Sequence, residues 1–210
     1  MRIVVFGATG GTGKQLVEQA LATGYEVVVY ARNRSKLNVS HEHLTVIQGE
    51  LSDAALIETA VKDAGAVLSA LGPRGGSKNK PLTQGMQNII AAMKKHGISR
   101  LIVTSTLSAK DSKDKPDFKT KALVNLVKTT MHAAYEDIVD SAETVRTSDL
   151  EWTIVRLAAP NNKPKSGKVK VGYVGTGEVG MSISRADIAD FMLKQIENTK
   201  YLREAPVISN

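Results

Sequence analysis

Met1-Arg-Ile-Val-Val-Phe-Gly7-Ala-Thr-Gly10-Gly11-Thr12-Gly13-Lys14-Gln15 reads as a buried strand, a glycine turn and the opening of a helix. Ile3 to Phe6 is an uninterrupted apolar run that ends at glycine, the pattern of a central parallel strand covered on both faces. Gly7 permits the tight exit from the strand, Gly10 lets the backbone approach a ligand phosphate, and Gly13 lets the helix pack closely on the sheet. A helix starting near Thr12 presents amides with no intrahelical partner and the positive end of its dipole, so the turn is a candidate pyrophosphate site. A P-loop fails on two counts: its first glycine would fall at Ala8, and Gln15 stands where a Ser or Thr should ligate magnesium.

Working outward, Leu16, Val17, Ala20 and Leu21 recur at helical spacing until Gly24. Tyr25 to Tyr30 is a second strand, completing a β-α-β unit. An Asp or Glu about 20 residues beyond such a turn binds a ribose 2′-hydroxyl, whereas an Arg accommodates the 2′-phosphate of NADP. Arg32 occupies this region, Arg34 and Lys36 follow, and the first acid is Glu42. Guanidinium binds phosphate through paired, charge-assisted hydrogen bonds, so the position favours NADP over NAD.

The alternation continues with a strand at Leu44–Gln48, the Gly49-Glu50-Leu51 step, and a helix from Ala54 capped by Ser52 or Asp53. A strand over Ala66–Leu71 runs into the loop Gly72-Pro73-Arg74-Gly75-Gly76-Ser77-Lys78 at the crevice end of the sheet. A helix over Gln84–His96 follows, then the strand Arg100–Ser105, whose polar end presents Thr104 and Ser105 on the cofactor side. Lys110 to Lys121 reads as a substrate lid or a solvated loop. A helical zone from Phe118 to Thr147, with Leu123, Leu126, Val127, Met131, Ile138 and Val145 among its apolar positions, is expected to break between Met131 and Ala134. After the strand Trp152–Arg156, Val169–Val174 and Gly177–Ile183 read as a hairpin, Ser184-Arg-Ala-Asp187 as a helix start in capping style, and Pro206-Val-Ile as a last strand.

This order predicts an α/β chain: one Rossmann-like domain over 1–210, a doubly wound parallel sheet with helices on both faces, with substrate-side cover from about 106–120 and 157–184. The 28 basic and 21 acidic residues give +7, yet the lysines are scattered, only 4% of residues are aromatic and no nucleic-acid motif occurs, which argues against a nucleic-acid partner. No cysteine is present, so thiolate metal sites and disulfides are excluded. No apolar run reaches the roughly 20 residues a membrane span needs, and the expected location is the cytoplasm.

With the glycine turn, Arg32, the Gly49-Glu50-Leu51 step, Thr104-Ser105, Gly85-x-x-Asn88, Trp152-Thr-Ile-Val-Arg156 and Asp187-x-x-x-Phe191-Met192-Leu193 in place, the chain resembles atypical short-chain dehydrogenases/reductases of the NmrA-like, NAD(P)H-binding group. Within that group it is most similar to NADPH-dependent flavin and biliverdin reductases. The resemblance implies that Gly7, Thr9, Gly10, Gly11, Thr12 and Gly13 hold the pyrophosphate of NADP(H) and that Arg32 and Lys36 bind its 2′-phosphate. It further implies that Glu50 and Leu51 flank the adenine, that Leu71, Gly72 and Arg74 lie along the cofactor, and that Ser105 is the catalytic residue beside the nicotinamide.

The Tyr-x-x-x-Lys pair of the superfamily is missing, since the residue four beyond Tyr135 is Val139. That weakens carbonyl reduction and nucleotide-sugar chemistry. Hydride transfer to a planar conjugated acceptor such as a flavin, quinone or tetrapyrrole survives the loss, because these accept hydride and take their proton from solvent or a hydroxyl. The alternative is a non-catalytic redox sensor that binds NADP(H) and reports to a regulatory protein. The expected partner is a small-molecule acceptor, with no nucleic acid and no membrane, and the chain is expected to be a monomer or small homo-oligomer.

Overall fold

Ile3 and Val5 point to one side of the first strand and Val4 and Phe6 to the other, and all four are fully buried. The computed structural model describes residues 1–73 and 79–210. Its elements run β1 (Arg2–Phe6), α1 (Gly11–Ala22), β2 (Glu26–Ala31), β3 (Leu44–Gln48), α2 (Ala54–Val61), β4 (Ala66–Ser69), α3 (Pro81–Lys95) and β5 (Arg100–Thr106). They continue with α4 (Phe118–Thr130), α5 (His132–Arg146), β6 (Glu151–Leu157), β7 (Ala159–Asn161), β8 (Lys170–Gly172), β9 (Ser182–Ser184), α6 (Arg185–Lys194) and β10 (Val207–Ser209). The main sheet has the order β3-β2-β1-β4-β5-β6-β10-β8. Its pairs are parallel except β10 with β8.

One apolar layer is formed by α2, α3 and α5 over Val4, Phe6, Val28, Leu101 and Ile154, and the other by α1 and α6 over Ile3, Val5, Val29, Ile102 and Val155. The period-2 alternation of β1, β2 and β5 feeds both layers, which is why these strands read as continuous apolar runs. The single Rossmann-like domain read from the sequence is therefore the observed fold. The strand order reverses between β1 and β4, and the crevice opens at the carboxyl ends of these strands.

Two expectations change. The helix read as Gln84–His96 begins at Pro81, because proline suits the first helical position and a carboxylate from α5, described below, caps it. The hairpin over residues 169–183 does not form. Instead β8 joins β10 antiparallel and β9 pairs with β7 in a small parallel sheet. The backbone of Val174 is consumed elsewhere: its N–H donates to Asp114 Oδ1 at 3.0 Å and its carbonyl accepts from Lys115 N–H at 2.8 Å. Ile183 is drawn into the α1/α6 layer, so the returning strand never meets β8.

The lysine-rich stretch after β5 is fastened at its aspartates. Both oxygens of Asp114 accept from the fully buried Arg156 guanidinium at 2.7 Å, and Asp111 accepts from Ala205 N–H at 2.8 Å. The helical zone breaks at Met131, as its sequence predicts. Its first half, α4, buries no residue, and Phe118, Leu123, Leu126 and Met131 stay exposed. No helix among the described residues is long and apolar enough to cross a membrane.

Candidate functional site

The glycine turn has the geometry its spacing predicts. Gly7 has φ +78°, where a side chain is strained, and a Cβ there would lie 2.6 Å from the Ala70 carbonyl. A Cβ on Gly13 would lie 2.1 Å from the Gly7 carbonyl oxygen, so α1 can approach β1 this closely only with glycine. Gly10 N–H donates to Gly7 O at 3.0 Å and closes the turn, and Gly10 caps α1 without a side-chain hydrogen bond. The first amides of α1, at Gly11, Thr12 and Gly13, therefore face the crevice end with no side-chain acceptor, which fits a pyrophosphate.

A cleft of about 500 Å³ opens beside the turn, bordered by Gly7, Thr9, Arg32, Glu50, Leu51 and Leu71. Arg32 follows directly on β2; its side chain is 40% exposed and its Nε lies 4.0 Å from Glu50 Oε2. An exposed pair at that distance is weak, so the guanidinium is free to exchange Glu50 for a phosphate. Lys36 sits in a 3-10 turn, Arg34–Lys36, capped by Asn33, and does not border the cleft. Arg74 lies outside the described residues.

The Glu50–Leu51 side of the cleft is built by contacts that the motifs imply only in outline. Tyr30 on β2 donates its hydroxyl to Glu50 O at 2.8 Å, and a Cβ on Gly49 would sit 2.2 Å from the Tyr30 hydroxyl oxygen. Burial, with the charges of Asp53 and Glu50, pushes the Tyr30 phenol up to about 12, so it remains a donor. On the other side Gly85 lets α3 press against Leu51, whose side chain would lie 2.9 Å from a Cβ there, and Asn88 Nδ2 donates to Leu51 O at 2.8 Å. The Gly85-x-x-Asn88 motif thus holds the Leu51 wall.

A second cavity, of about 210 Å³, adjoins the first and shares Leu71, Gly72 and Leu82 with it. Thr12, Thr104 and Ser105 border it, with Met86, Ile138 and Leu157 among its apolar walls. No ionisable side chain is among its described lining residues. Thr104 Oγ1 contacts Ser69 O at 3.4 Å, whereas the Ser105 hydroxyl has no partner among the described residues. Of the stretches expected to cover the substrate side, Thr106, Leu157, Ala158 and Pro160 reach this cavity.

Two residues at or beside the site escaped the sequence reading. Asp137 on α5 is buried at the boundary of the first cleft, and its carboxylate accepts from Leu82 N–H at 3.0 Å, Thr83 N–H at 2.8 Å and Thr83 Oγ1 at 2.7 Å. It is the remote cap of α3, so its oxygens are spent on structure. Arg185, the first residue of α6, lies against the turn: a Cβ on Gly11 would meet its Cδ and Nε at 2.7 Å. Its guanidinium donates to Asn162 Oδ1 at 2.7 Å and has no acidic partner among the described residues. The Ser184-Arg-Ala-Asp187 signature correctly announces the cap, since Ser184 accepts from Asp187 N–H at 3.0 Å, but says nothing of where Arg185 points.

The model of the NAD(P)H-binding family matches residues 7–199. An uncharacterized chloroplastic protein of Arabidopsis thaliana is 27% identical over 205 residues, covering 93% of this chain and 71% of its own length. A photosystem II assembly factor of Guillardia theta is 31% identical over 162 residues, which span 75% of this chain and 46% of that protein. Among solved structures, a short-chain dehydrogenase/reductase of Veillonella parvula in complex with NADP superposes with a TM-score of 0.81 at 21% identity, covering 100% of this chain and 94% of that one. An anaerobilin reductase of Escherichia coli O157:H7 superposes with a TM-score of 0.80 at 21% identity, covering 100% of this chain and 97% of that one. The chain belongs to the NAD(P)H-binding family, with the fold of the atypical short-chain dehydrogenases/reductases.

Proposed function

We propose that this protein is an NADPH-dependent reductase that acts on a neutral, planar, conjugated acceptor of the flavin, quinone or tetrapyrrole type in a reducing compartment such as the cytoplasm. The observation that carries the reading is the adjoining of two cavities across Leu71, Gly72 and Leu82, one beside the glycine turn and the other lined, among the described residues, by hydroxyls and apolar groups with no ionisable side chain. NADPH supplies the hydride. The amides of Gly11, Thr12 and Gly13 hold its pyrophosphate, Arg32 its 2′-phosphate, and Leu51 packs on its adenine.

Ser105 donates a hydrogen bond to the acceptor atom on which electron density builds. Such a donor, preorganised in a site free of water, is worth about 2–4 kcal/mol. A serine hydroxyl is far too weak an acid to give up its proton, so the one proton that the reduction consumes comes from solvent. The lack of an ionisable group among the described residues that line the second cavity matches acceptors that need positioning rather than a strong acid. The fold shared with an anaerobilin reductase supports an acceptor of this shape.

The missing Tyr-x-x-x-Lys pair equally suits a redox sensor that binds NADP(H) without turnover. NADPH oxidation followed by absorbance with FMN, quinones, a linear tetrapyrrole and simple aldehydes separates the two. Turnover confined to the conjugated compounds is expected. Tight NADPH binding with no turnover of any of them would replace the reductase by the sensor.

A further inference from the structure

Ser141 is buried on α5 and borders the second cavity, on the stripe that also brings Ile138, Ala142 and Val145 to it. The other hydroxyls of this helix region turn back onto the backbone: Thr144 donates to Asp140 O at 2.8 Å, Thr147 to Glu143 O at 2.9 Å and Ser148 to Val145 O at 2.6 Å. That is the usual fate of Ser and Thr in a helix. Ser141 makes no such bond, and the carbonyl it would reach, that of Asp137, accepts from Thr83 Oγ1 at 3.2 Å. Ser141 is thus a buried residue whose hydroxyl has no protein partner among the described residues and opens onto the cavity, where a ligand atom can replace water as its partner.

Ser105 brings a second such hydroxyl from the sheet. It comes from the end of β5, is half-buried, borders the same cavity, and has no protein partner among the described residues. We propose that Ser105 and Ser141 together form the polar lining of the acceptor site, and that the acceptor is a neutral planar ring system with two hydrogen-bond-accepting atoms, as in an isoalloxazine or an ortho-quinone. This rests on the reductase reading above. The balance is that of a two-electron reduction: the acceptor gains a hydride from NADPH and a proton from water, NADP+ leaves, and both serines keep their own protons. Each hydroxyl donates to one acceptor atom, and the pair fixes the ring in its plane against the apolar walls of Met86 and Leu157. Charged appendages of an acceptor stay outside, since no ionisable group is among the described residues that line the cavity.

The test uses the full-length protein and the variants Ser141→Ala, Ser141→Thr and Ser105→Ala. Alanine removes only the oxygen, so a serine that merely keeps α5 close to β5 would be replaced without effect. Ser141→Ala is expected to lower kcat/KM for FMN or an ortho-quinone at least about tenfold, the lower end for one lost donor, and to do so less for a mono-carbonyl acceptor. NADPH affinity stays within about twofold, and Ser141→Thr, which keeps the hydroxyl, recovers most of the loss. Unchanged kcat/KM in Ser141→Ala, or an equal loss for every acceptor, overturns the proposal.

If the native protein turns over nothing, the same FMN and ortho-quinone are titrated onto the NADP+-loaded protein. Binding that weakens about tenfold in Ser141→Ala keeps the site while the reductase reading falls. Equal binding in the two, or no binding to either, overturns the site itself.

Discussion

Arg32 borders the first cleft, whereas Arg185 lies against the glycine turn at Gly11, outside that cleft. Arg32 was legible because its distance from the glycine turn is fixed by one β-α-β unit, and the structure puts it on the cleft. Its replacement by alanine is expected to weaken NADPH at least about tenfold, the value of a lost charge-assisted bond, while leaving NADH nearly unchanged. Fluorescence titration with both nucleotides reads this, and equal losses for the two would reject the 2′-phosphate role. Arg185 was not legible, because its approach to Gly11 depends on how α6 packs on α1 some 170 residues later in the chain. Arg185→Gln is expected to weaken NADPH and NADH alike, by about threefold to tenfold, since the pyrophosphate is common to both. Selective loss of NADPH would move Arg185 to the 2′-phosphate instead.

At the scale of elements, sequence patterning identified the parallel strands and the helices that cover them, because burial on both faces leaves a continuous apolar record. It failed where short segments depend on partners remote in the chain. The hairpin over residues 169–183 carried the glycines of a turn, Gly175 and Gly177, both at positive φ, but its pairing was decided by Asp114, Lys115 and the open edge of β10. The Gly85-x-x-Asn88 motif on α3 was visible without its purpose, which is to hold Leu51 at the cleft. Asn88→Ala frees the Leu51 carbonyl and is expected to weaken NADPH about threefold to fivefold with the thermal midpoint lowered by only a few degrees, as one lost hydrogen bond implies. An unchanged NADPH affinity would show that Leu51 needs no such support.

Across the whole molecule, two carboxylates fasten the irregular segments of the carboxyl-terminal half: Asp187 holds the turn at Ser166–Gly167 to the start of α6, and Asp114 holds the stretch after β5 to β6 and Val174. Burial alone would raise the Asp187 carboxyl, but hydrogen bonds from Ser184 Oγ at 2.6 Å, Gly167 N–H at 2.9 Å and Ser166 N–H at 3.0 Å outweigh it and hold it below the usual carboxylate range. Asp114 behaves likewise: burial raises it, and the Arg156 guanidinium with the amides of Asp111 and Val174 brings it down. A folded value below the unfolded one, which is about 3.9, means that the stabilisation is complete above that pH and is lost as the pH falls through the folded value. Thermal melts should therefore be flat near neutrality and collapse below about pH 4. Asp187→Asn is expected to lose about 3 kcal/mol at pH 7 and to show a shallower acid limb. A variant melting in parallel with the native protein across the whole acid range would contradict this linkage.

The proposed reductase activity requires hydride to pass from the first cleft into the adjoining cavity, whose described lining residues carry no ionisable group. An anaerobic stopped-flow single turnover, in which the stoichiometric NADPH complex is mixed with FMN or an ortho-quinone, measures that step without repeated cycling. The NADPH absorbance should decay in one phase, faster than in free solution, with one equivalent of acceptor reduced and no decay against an aldehyde. A complex that retains its full NADPH absorbance in the presence of every conjugated acceptor would contradict the account and leave a nucleotide-binding protein without a reductase reaction.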